Sequence, residues 1–416
     1  MNDLFQKFHN DKGPLGKYES MAHGYFTFPQ LEGKISSRMV FRGKEKIVWS
    51  INNYLGLAEH PEVKQVDAEA AKRYGLAYPM GSRMMSGETA AHIHLEKELS
   101  SFVGKEDAML LNFGYQGILS VIDSLLDRKD VVLYDKDCHA CIYDGIRMHL
   151  GKRVPFEHND IESFDKQLRK AERFAEESGG GILAITEGVF GMRGEQGILK
   201  EIAAYKDKHQ FRLLVDDAHG FGTLGKTGAG AGEEQGVQDK IDLYFSTFAK
   251  SMASIGAFVA GDKEIITYLR YNTRSQIFAK SLPMALVIGN TKRLELLKND
   301  PSLKDKLWSN VHRLQRGLKQ EGFDLGNTSS CVTPVFMKGN TMEAINLVQD
   351  LRENHNIFCS IVIYPVIPKG MILLRLIPTA IHTFKDIDET ISAFSSISGK
   401  LNKGDYNKEE LLIPIT

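Results

Sequence analysis

Two stretches decide the fold of this chain: FRLLVDDAHG at residues 211–220 and IDLYFSTFAK at residues 241–250. Each begins with a hydrophobic run whose length and content of β-branched or aromatic residues are typical of a buried strand. Each ends in a polar cluster, expected just beyond the carboxyl end of its strand, where open α/β sheets bind ligands. An acid, an imidazole and an amine, Asp216, His219 and Lys250, are therefore expected to converge at one edge of a sheet.

Outward from these stretches, apolar runs alternate with amphipathic helical segments between residues 61 and 290. This alternation predicts a three-layer α/β domain in which crossover helices connect parallel strands. After Pro283 the pattern changes to longer helices and then to short strands, which predicts a smaller α+β domain that ends in a helix from residue 384. The predicted strands are 107–112, 131–135, 182–187, 211–216, 241–246, 255–260, 332–336, 357–363 and 372–377.

These patterns predict four segments. Residues 1–60 form an N-terminal arm, 61–290 the large α/β domain, 291–400 the small C-terminal α+β domain, and 401–416 a polar, loosely held tail.

Composition limits the partners of the chain. Its 416 residues carry 52 Lys and Arg against 53 Asp and Glu, a formal charge of −1, so no global field favours nucleic acid or an anionic membrane. No uncharged apolar run approaches the 18 residues of a membrane span, which predicts a cytoplasmic protein. Two of the four cysteines form a C-x-x-C motif, Cys138 to Cys141. We expect reduced, packed thiols there, with a redox dithiol and a zinc site as the alternatives; no resident metal is predicted.

Asp216 and Lys250 are the pair that a pyridoxal phosphate enzyme requires. A lysine amine forms a Schiff base with the cofactor aldehyde, and a carboxylate keeps the pyridine nitrogen protonated so that the ring accepts electrons. Taken singly, an Asp after a strand is more often a helix cap and a Lys more often a solvated loop residue. The combination makes pyridoxal 5'-phosphate the expected cofactor.

The string LVDDAHGFG at residues 214–222, followed by STFAKS at residues 246–251, resembles the α-oxoamine synthase family of fold-type I pyridoxal phosphate enzymes. The resemblance extends from about Asn52 to His382. It implies an acyltransferase that condenses an α-amino acid with an acyl thioester and releases CO₂ and the free thiol carrier. The active unit implied is a homodimer with its sites at the interface.

The resemblance also implies roles for individual residues. Lys250, His139, Asp216 and His219 would be catalytic, with His139 stacked on the pyridine ring and His219 near its phenolic oxygen. The phosphate would be bound by backbone at Gly114 and Tyr115 and by the hydroxyl of Thr247, with Lys280 as an added positive charge. For the substrate, Arg375 would grip the carboxylate, since a guanidinium fork matches its planar geometry, and Asn52 would reach the amino acid from the arm.

Two positions depart from the family pattern. Gly191 stands where a serine is usual, which removes a hydroxyl near the cofactor. Ala279 and Lys280 replace a small hydroxylated pair that commonly reaches the neighbouring subunit's phosphate. The charge of Lys280 either compensates for that loss or is simply solvated.

The substrate is expected to be L-serine with a long-chain acyl thioester, as in bacterial serine palmitoyltransferase and sphingolipid synthesis. Cysteate acyltransferase is the close alternative, and 2-amino-3-ketobutyrate CoA ligase and 8-amino-7-oxononanoate synthase follow. Met84 and Met85 suit either a flexible acyl chain or the core. The carrier, CoA or acyl carrier protein, stays open.

Two further classes of protein are alternatives to this expectation. An aminotransferase of the same fold would release a keto acid instead of CO₂ and a thiol. A DNA-binding regulator would need a basic reading module that residues 1–60 lack, so no nucleic acid partner is predicted. Transient contact with a membrane surface would serve release of a lipid product.

Overall fold

The computed structural model describes residues 3–10, 13–16, 19–362, 367 and 370–408. The predicted tail therefore lies partly outside the described residues, as does the end of the strand predicted at 357–363. Contacts between residues divide the chain into two compact units. The large unit comprises residues 52–308 and 327–331, and the small unit comprises 1–51, 309–326 and 332–416. The sequence-based limits at residues 60, 290 and 400 stay a proposal.

The described strands are β1 Leu31–Glu32, β2 Arg38–Phe41, β3 Lys44–Val48, β4 Asp107–Leu111, β5 Val131–Asp135, β6 Lys152–Phe156, β7 Ile182–Glu187, β8 Arg212–Asp216, β9 Leu243–Thr247, β10 Ala257–Gly261, β11 Thr333–Lys338, β12 Ile357–Phe358, β13 Ser360–Val362 and β14 Met371–Leu376.

The described helices are α1 Gln6–Asn10, α2 Gly13–Gly16, α3 Glu19–Ala22, α4 Pro61–Tyr74, α5 Ala90–Phe102, α6 Gly114–Leu125, α7 Ala140–Met148, α8 Ile161–Ser178, α9 Leu199–Tyr205, α10 Ala231–Glu234, α11 Lys263–Asn272, α12 Arg274–Ile277, α13 Met284–Asn299, α14 Ser302–Gln320, α15 Thr341–Asn354 and α16 Phe384–Lys403. Short 3₁₀ turns add Leu57–Glu59 and Gln238–Lys240.

The large unit is built on a seven-stranded sheet in the order β4-β10-β9-β8-β7-β5-β6. Strands β5 to β9 run parallel, and β10 runs antiparallel to both of its neighbours. The expected α/β fold is confirmed, but the expectation of parallel strands is wrong for β10. The connection between β9 and β10, residues 248–256, is shorter than the dozen or more residues that a parallel crossover needs.

Local sequence explains the main elements of this unit. Strands β5 and β7 are buried along their whole length, as strands covered by helices on both faces must be. Helix α8 begins where the Asp160 side chain accepts the Ser163 N–H, and it ends at Gly179 in the left-handed region. Strand β6 was not predicted, because its KRVPF sequence mixes charge and proline at the sheet edge.

The small unit contains two sheets. One has the order β1-β2-β3-β12, and the other, β11-β14-β13, is antiparallel throughout. The predicted strand at 357–363 is split at Cys359 into β12 and β13, which join different sheets. A core around Trp49 includes Leu347, Leu374 and Phe394, and the Trp49 indole stacks on His382 with 4.0 Å between ring centroids.

Candidate active site

Seven of the nine predicted site residues of the large unit lie at one edge of the seven-stranded sheet. Strands β4 and β9 are both antiparallel to β10, so β4 points the same way as β5, β7, β8 and β9. The carboxyl ends of these five strands therefore share one edge. The predicted residues that end or follow these strands are Gly114, Tyr115, His139, Asp216, His219, Thr247 and Lys250.

Asp216 ends β8 and is buried, with 6% of its surface exposed. Its carboxylate accepts the Ala218 N–H at 3.1 Å. Burial raises the pKa of Asp216, while the positive charge of Lys250, the Ala218 hydrogen bond and His139 act in the opposite direction. The ionised form of the buried Asp216 carboxylate is thus stabilised by a nearby cation. That cation is Lys250, which is half-buried in the loop after β9.

Glu187 is a buried acid beside Asp216 that the sequence analysis did not single out. It ends β7, pairs in register with Asp216, and accepts the His139 N–H at 2.5 Å. Burial, and next the negative charge of Asp216, raise the pKa of Glu187 well above its usual range. Burial and the neighbouring carboxylate therefore both disfavour a second negative charge beside Asp216. The signal of Glu187 was present in the sequence, since it ends a predicted strand as Asp216 does.

His139 caps the amino end of α7 through its ring nitrogen Nδ1 and keeps an exposed surface. Partial burial lowers the pKa of its imidazole, and the charge of Lys250 acts in the same direction. His139 is therefore neutral near pH 7. Tyr115 lies edge-on to it with 6.1 Å between ring centroids.

His219 is held from two sides. The Tyr54 hydroxyl lies 2.6 Å from His219 Nδ1, and both residues are buried. A Cβ atom on Gly191 would lie 2.1 Å from His219 Nε2. A serine at position 191 would thus displace the His219 ring, which gives the departure from the family pattern a physical reason. The sequence did not indicate the contact of Tyr54 with His219, because the two residues are 165 positions apart in the chain.

The amino end of a helix, of the kind that can bind an anion, lies beside these groups. Helix α6 starts at Gly114, and Phe113 at its N-cap supplies no side-chain acceptor, so the first N–H groups of the helix are directed out of its end. A Cβ atom on Gly114 would lie 3.0 Å from Thr247. The Thr247 hydroxyl donates to the Gly256 carbonyl at 2.9 Å, and the Tyr115 hydroxyl donates to Asp144.

The remaining predicted residues lie outside this group. Asn52 is half-buried, and among the described residues its buried Oδ1 atom has no hydrogen-bond partner. The Lys280 side chain is exposed, and its carbonyl accepts from Asn112. Arg375 belongs to the small unit, half-buried in β14 between Pro334 of β11 and Ser360 of β13.

The C-x-x-C thiols are both buried, and burial raises both thiol pKa values. This agrees with the expected reduced, packed thiols and disfavours the redox alternative, which needs a lowered thiol pKa. Among the described residues no cluster of three or more His, Cys, Asp and Glu side chains could hold a metal ion. Within the same residues, no helix is long and apolar enough to cross a membrane.

Comparison with known proteins agrees with this geometry. Residues 44–394 match the family described as aminotransferase class I and II. A cysteate-C-fatty acyltransferase of Capnocytophaga ochracea is 62% identical over 98% of this chain and 97% of its own length. A serine palmitoyltransferase of Sphingobacterium spiritivorum is 36% identical over 88% of this chain and 90% of its own.

A solved structure extends the comparison to the fold. Serine palmitoyltransferase of S. paucimobilis with a bound PLP-myriocin aldimine superposes with a TM-score of 0.88 at 30% identity, covering 97% of this chain and 100% of that one. The chain belongs to the class I and II aminotransferase family and, within it, to the α-oxoamine synthases. It is a pyridoxal phosphate enzyme of the acyltransferase class, as predicted.

The residues at the sheet edge fit pyridoxal phosphate. Lys250 would bond to the cofactor aldehyde, and the buried carboxylate of Asp216 would pair with the ring nitrogen. The exposed, neutral imidazole of His139 would cover the ring face, and the uncapped amino end of α6 would bind the phosphate. Gly114 and Gly191 stand where added Cβ atoms would press on Thr247 and His219.

Proposed function

We propose that this enzyme condenses cysteate with a long-chain acyl thioester. The bond between Cα and the carboxylate breaks, CO₂ leaves, Cα bonds to the acyl carbon, and the thiol carrier departs. The observation that carries the proposal is the 62% identity to the cysteate-C-fatty acyltransferase over nearly the whole of both chains, against 36% for the serine palmitoyltransferase. L-Serine, placed first from the sequence, becomes the second candidate.

Each predicted residue then has a part in this reaction. Bound pyridoxal phosphate supplies an electron sink for the carbanion at the amino acid Cα. Asp216 holds its negative charge at the end of β8, where it stabilises a protonated ring nitrogen. Lys250 Nζ, as the neutral amine, takes the proton from Cα. His139 offers a neutral ring for stacking, and His219, held by Tyr54 at Nδ1, would present Nε2 to the phenolic oxygen of the ring.

Binding roles follow from the same arrangement. The N–H groups at Gly114 and Tyr115 bind the phosphate. Thr247 either turns its hydroxyl from Gly256 towards that anion or only shapes the helix terminus. Lys280 is exposed and free of the core, which supports a role for its charge toward a phosphate. The unpartnered Oδ1 of Asn52 supports its place at the substrate amine.

We further propose a homodimer and a cytoplasmic location. Several apolar side chains of the large unit are exposed to solvent, and the exposed fraction is 73% for Leu76, 75% for Met80 and 80% for Phe278. Their exposure supports a dimer in which a second copy of the chain covers them. Met84 and Met85 are 43% and 81% exposed, so the core interpretation of this pair is wrong and contact with an acyl chain or the second copy is favoured.

An amino-acid panel tests the substrate. With palmitoyl-CoA or palmitoyl-acyl carrier protein as donor, we expect kcat/KM for cysteate to exceed that for serine, alanine or glycine by at least about tenfold, since one well-placed charge contact is worth about 1.5–3 kcal/mol. Release of CO₂ and free thiol is measured for each pair. Higher kcat/KM with serine would restore the first expectation, and keto acid without CO₂ would indicate an aminotransferase.

Arg375→Lys tests the carboxylate role. We expect the KM for the amino acid to rise by about tenfold and the KM for the acyl thioester to stay unchanged, because a point charge replaces a bidentate fork. Arg313→Lys is the matched control in the same unit, since Arg313 is exposed and paired with Asp388. Equal effects on both KM values would remove Arg375 from the amino-acid site.

A further inference from the structure

The C-x-x-C motif contains a contact between a thiol and the imidazole of His139 that has no role in the proposed reaction. Cys141 lies in the first turn of α7, and its Sγ atom is 2.8 Å from His139 Nδ1. The backbone N–H of Cys141 donates to the same Nδ1 atom at 3.3 Å. Cys141 is 4% exposed, so its thiol is turned into the unit and towards the imidazole.

These contacts determine the tautomer of His139. A ring nitrogen that accepts a backbone N–H carries a lone pair, so the imidazole proton is on Nε2. A thiolate beside that lone pair would be repelled, whereas a thiol donates to it. Burial raises the pKa of the Cys141 thiol, which keeps its proton on sulfur. Both donors at Nδ1 therefore favour the neutral ring.

We propose that Cys141 is a positioning residue whose thiol donates to His139 Nδ1 and so fixes the imidazole in its neutral, Nε2-protonated form and in one ring orientation. The backbone of His139 is held independently by the buried Glu187, which accepts its N–H. His139 is thus fixed at main chain and side chain. The inference deepens the proposed function and rests on it only for the effect on turnover.

The pH dependence of His139 also reflects the other groups that face it. From the neighbouring elements these are Asp216 on β8, Lys250 after β9, Glu187 on β7 and Tyr115 on α6. Asp216 raises the pKa of His139 and Lys250 lowers it. Neither changes when Cys141 is replaced, so a difference between variants at that position isolates the thiol.

Three variants of the holoenzyme test the proposal: Cys141→Ser, Cys141→Ala and Cys359→Ala. Serine keeps a donor at Nδ1 and alanine removes it, while Cys359 is a buried thiol of the small unit and serves as the control. The first readout is the Raman S–H stretch, which moves to lower frequency when a thiol donates. The second is the pH profile of kcat/KM for the amino acid.

We expect the Cys141→Ala difference spectrum to contain a low-frequency S–H band that Cys359→Ala does not remove. In Cys141→Ala the acid limb should move upward by roughly half to one pH unit, because the neutral imidazole loses a donor and protonates more readily. Cys141→Ser should keep the wild-type limb. An unshifted S–H band at Cys141, or equal profiles for Ser and Ala, overturns the proposal.

The catalytic role of His139 and the positioning role of Cys141 can be overturned independently of each other. If His139→Asn retained full turnover, the catalytic role of His139 would be lost, while a low-frequency S–H band in the wild type would still establish the donor contact. If the band were absent and His139→Asn inactive, the positioning role alone would be overturned.

Discussion

Replacement of Lys250 by alanine is expected to lower kcat by more than about 10³-fold, because the amine that would take the α-proton is gone and general base catalysis alone contributes about 10²–10⁴. The visible absorbance of the bound cofactor should disappear as well. Lys250 is half-buried and its charge offsets part of the cost of burying the Asp216 carboxylate, so we expect the apoenzyme to remain folded with a lower free energy of unfolding than wild type.

Lys263→Ala is the matched control. Lys263 is an exposed lysine at the start of α11 in the same unit, and its removal should alter neither absorbance nor turnover. The measurements are the cofactor spectrum, steady-state turnover and chemical unfolding. If Lys250→Ala kept the spectrum and turned over substrate, the amine would have to come from another lysine.

Asp216→Asn should have opposite effects on turnover and stability. Turnover is expected to fall by about 10²-fold or more, because an amide cannot stabilise a protonated ring nitrogen. In a buried site, the loss of the carboxylate charge would lower the pKa of that nitrogen by several units. The apoenzyme should be at least as stable as wild type at pH 7, because the variant no longer buries a carboxylate whose ionisation opposes folding.

The sign of the pH effect follows from the raised pKa of Asp216. Its contribution to stability is fully present below the ordinary carboxyl pKa and is lost as pH rises through the folded value. The advantage of Asp216→Asn over wild type should therefore grow as pH rises from 4 towards 7. Chemical unfolding of both apoenzymes across this range measures it, with the exposed Asp239→Asn as control. Near-normal turnover of Asp216→Asn would remove the electron-sink argument.

Much of the fold follows from the sequence because its central strands are buried on both faces. Such strands consist largely of apolar residues, and all six predicted in the large unit have bounds within about two residues of β4, β5, β7, β8, β9 and β10. Polar residues that end those strands must lie at one edge when the strands are parallel. Asp216, His219 and Lys250 could therefore be assigned to one place from their spacing alone.

The direction of individual strands and the contacts between side chains were decided only by the tertiary structure. The reversal of β10 depends on a short connection, and the split at Cys359 depends on which sheet each half joins. The contact of Tyr54 with His219 joins residues far apart in the chain. The high pKa of Glu187 arises from burial beside a second carboxylate, and that of Cys141 from burial of its side chain in the first turn of α7. The hydrophobic periodicity of the sequence predicts which face of a helix or strand is buried. The desolvation of a side chain and its hydrogen-bond partners depend on which other elements the fold packs against that face.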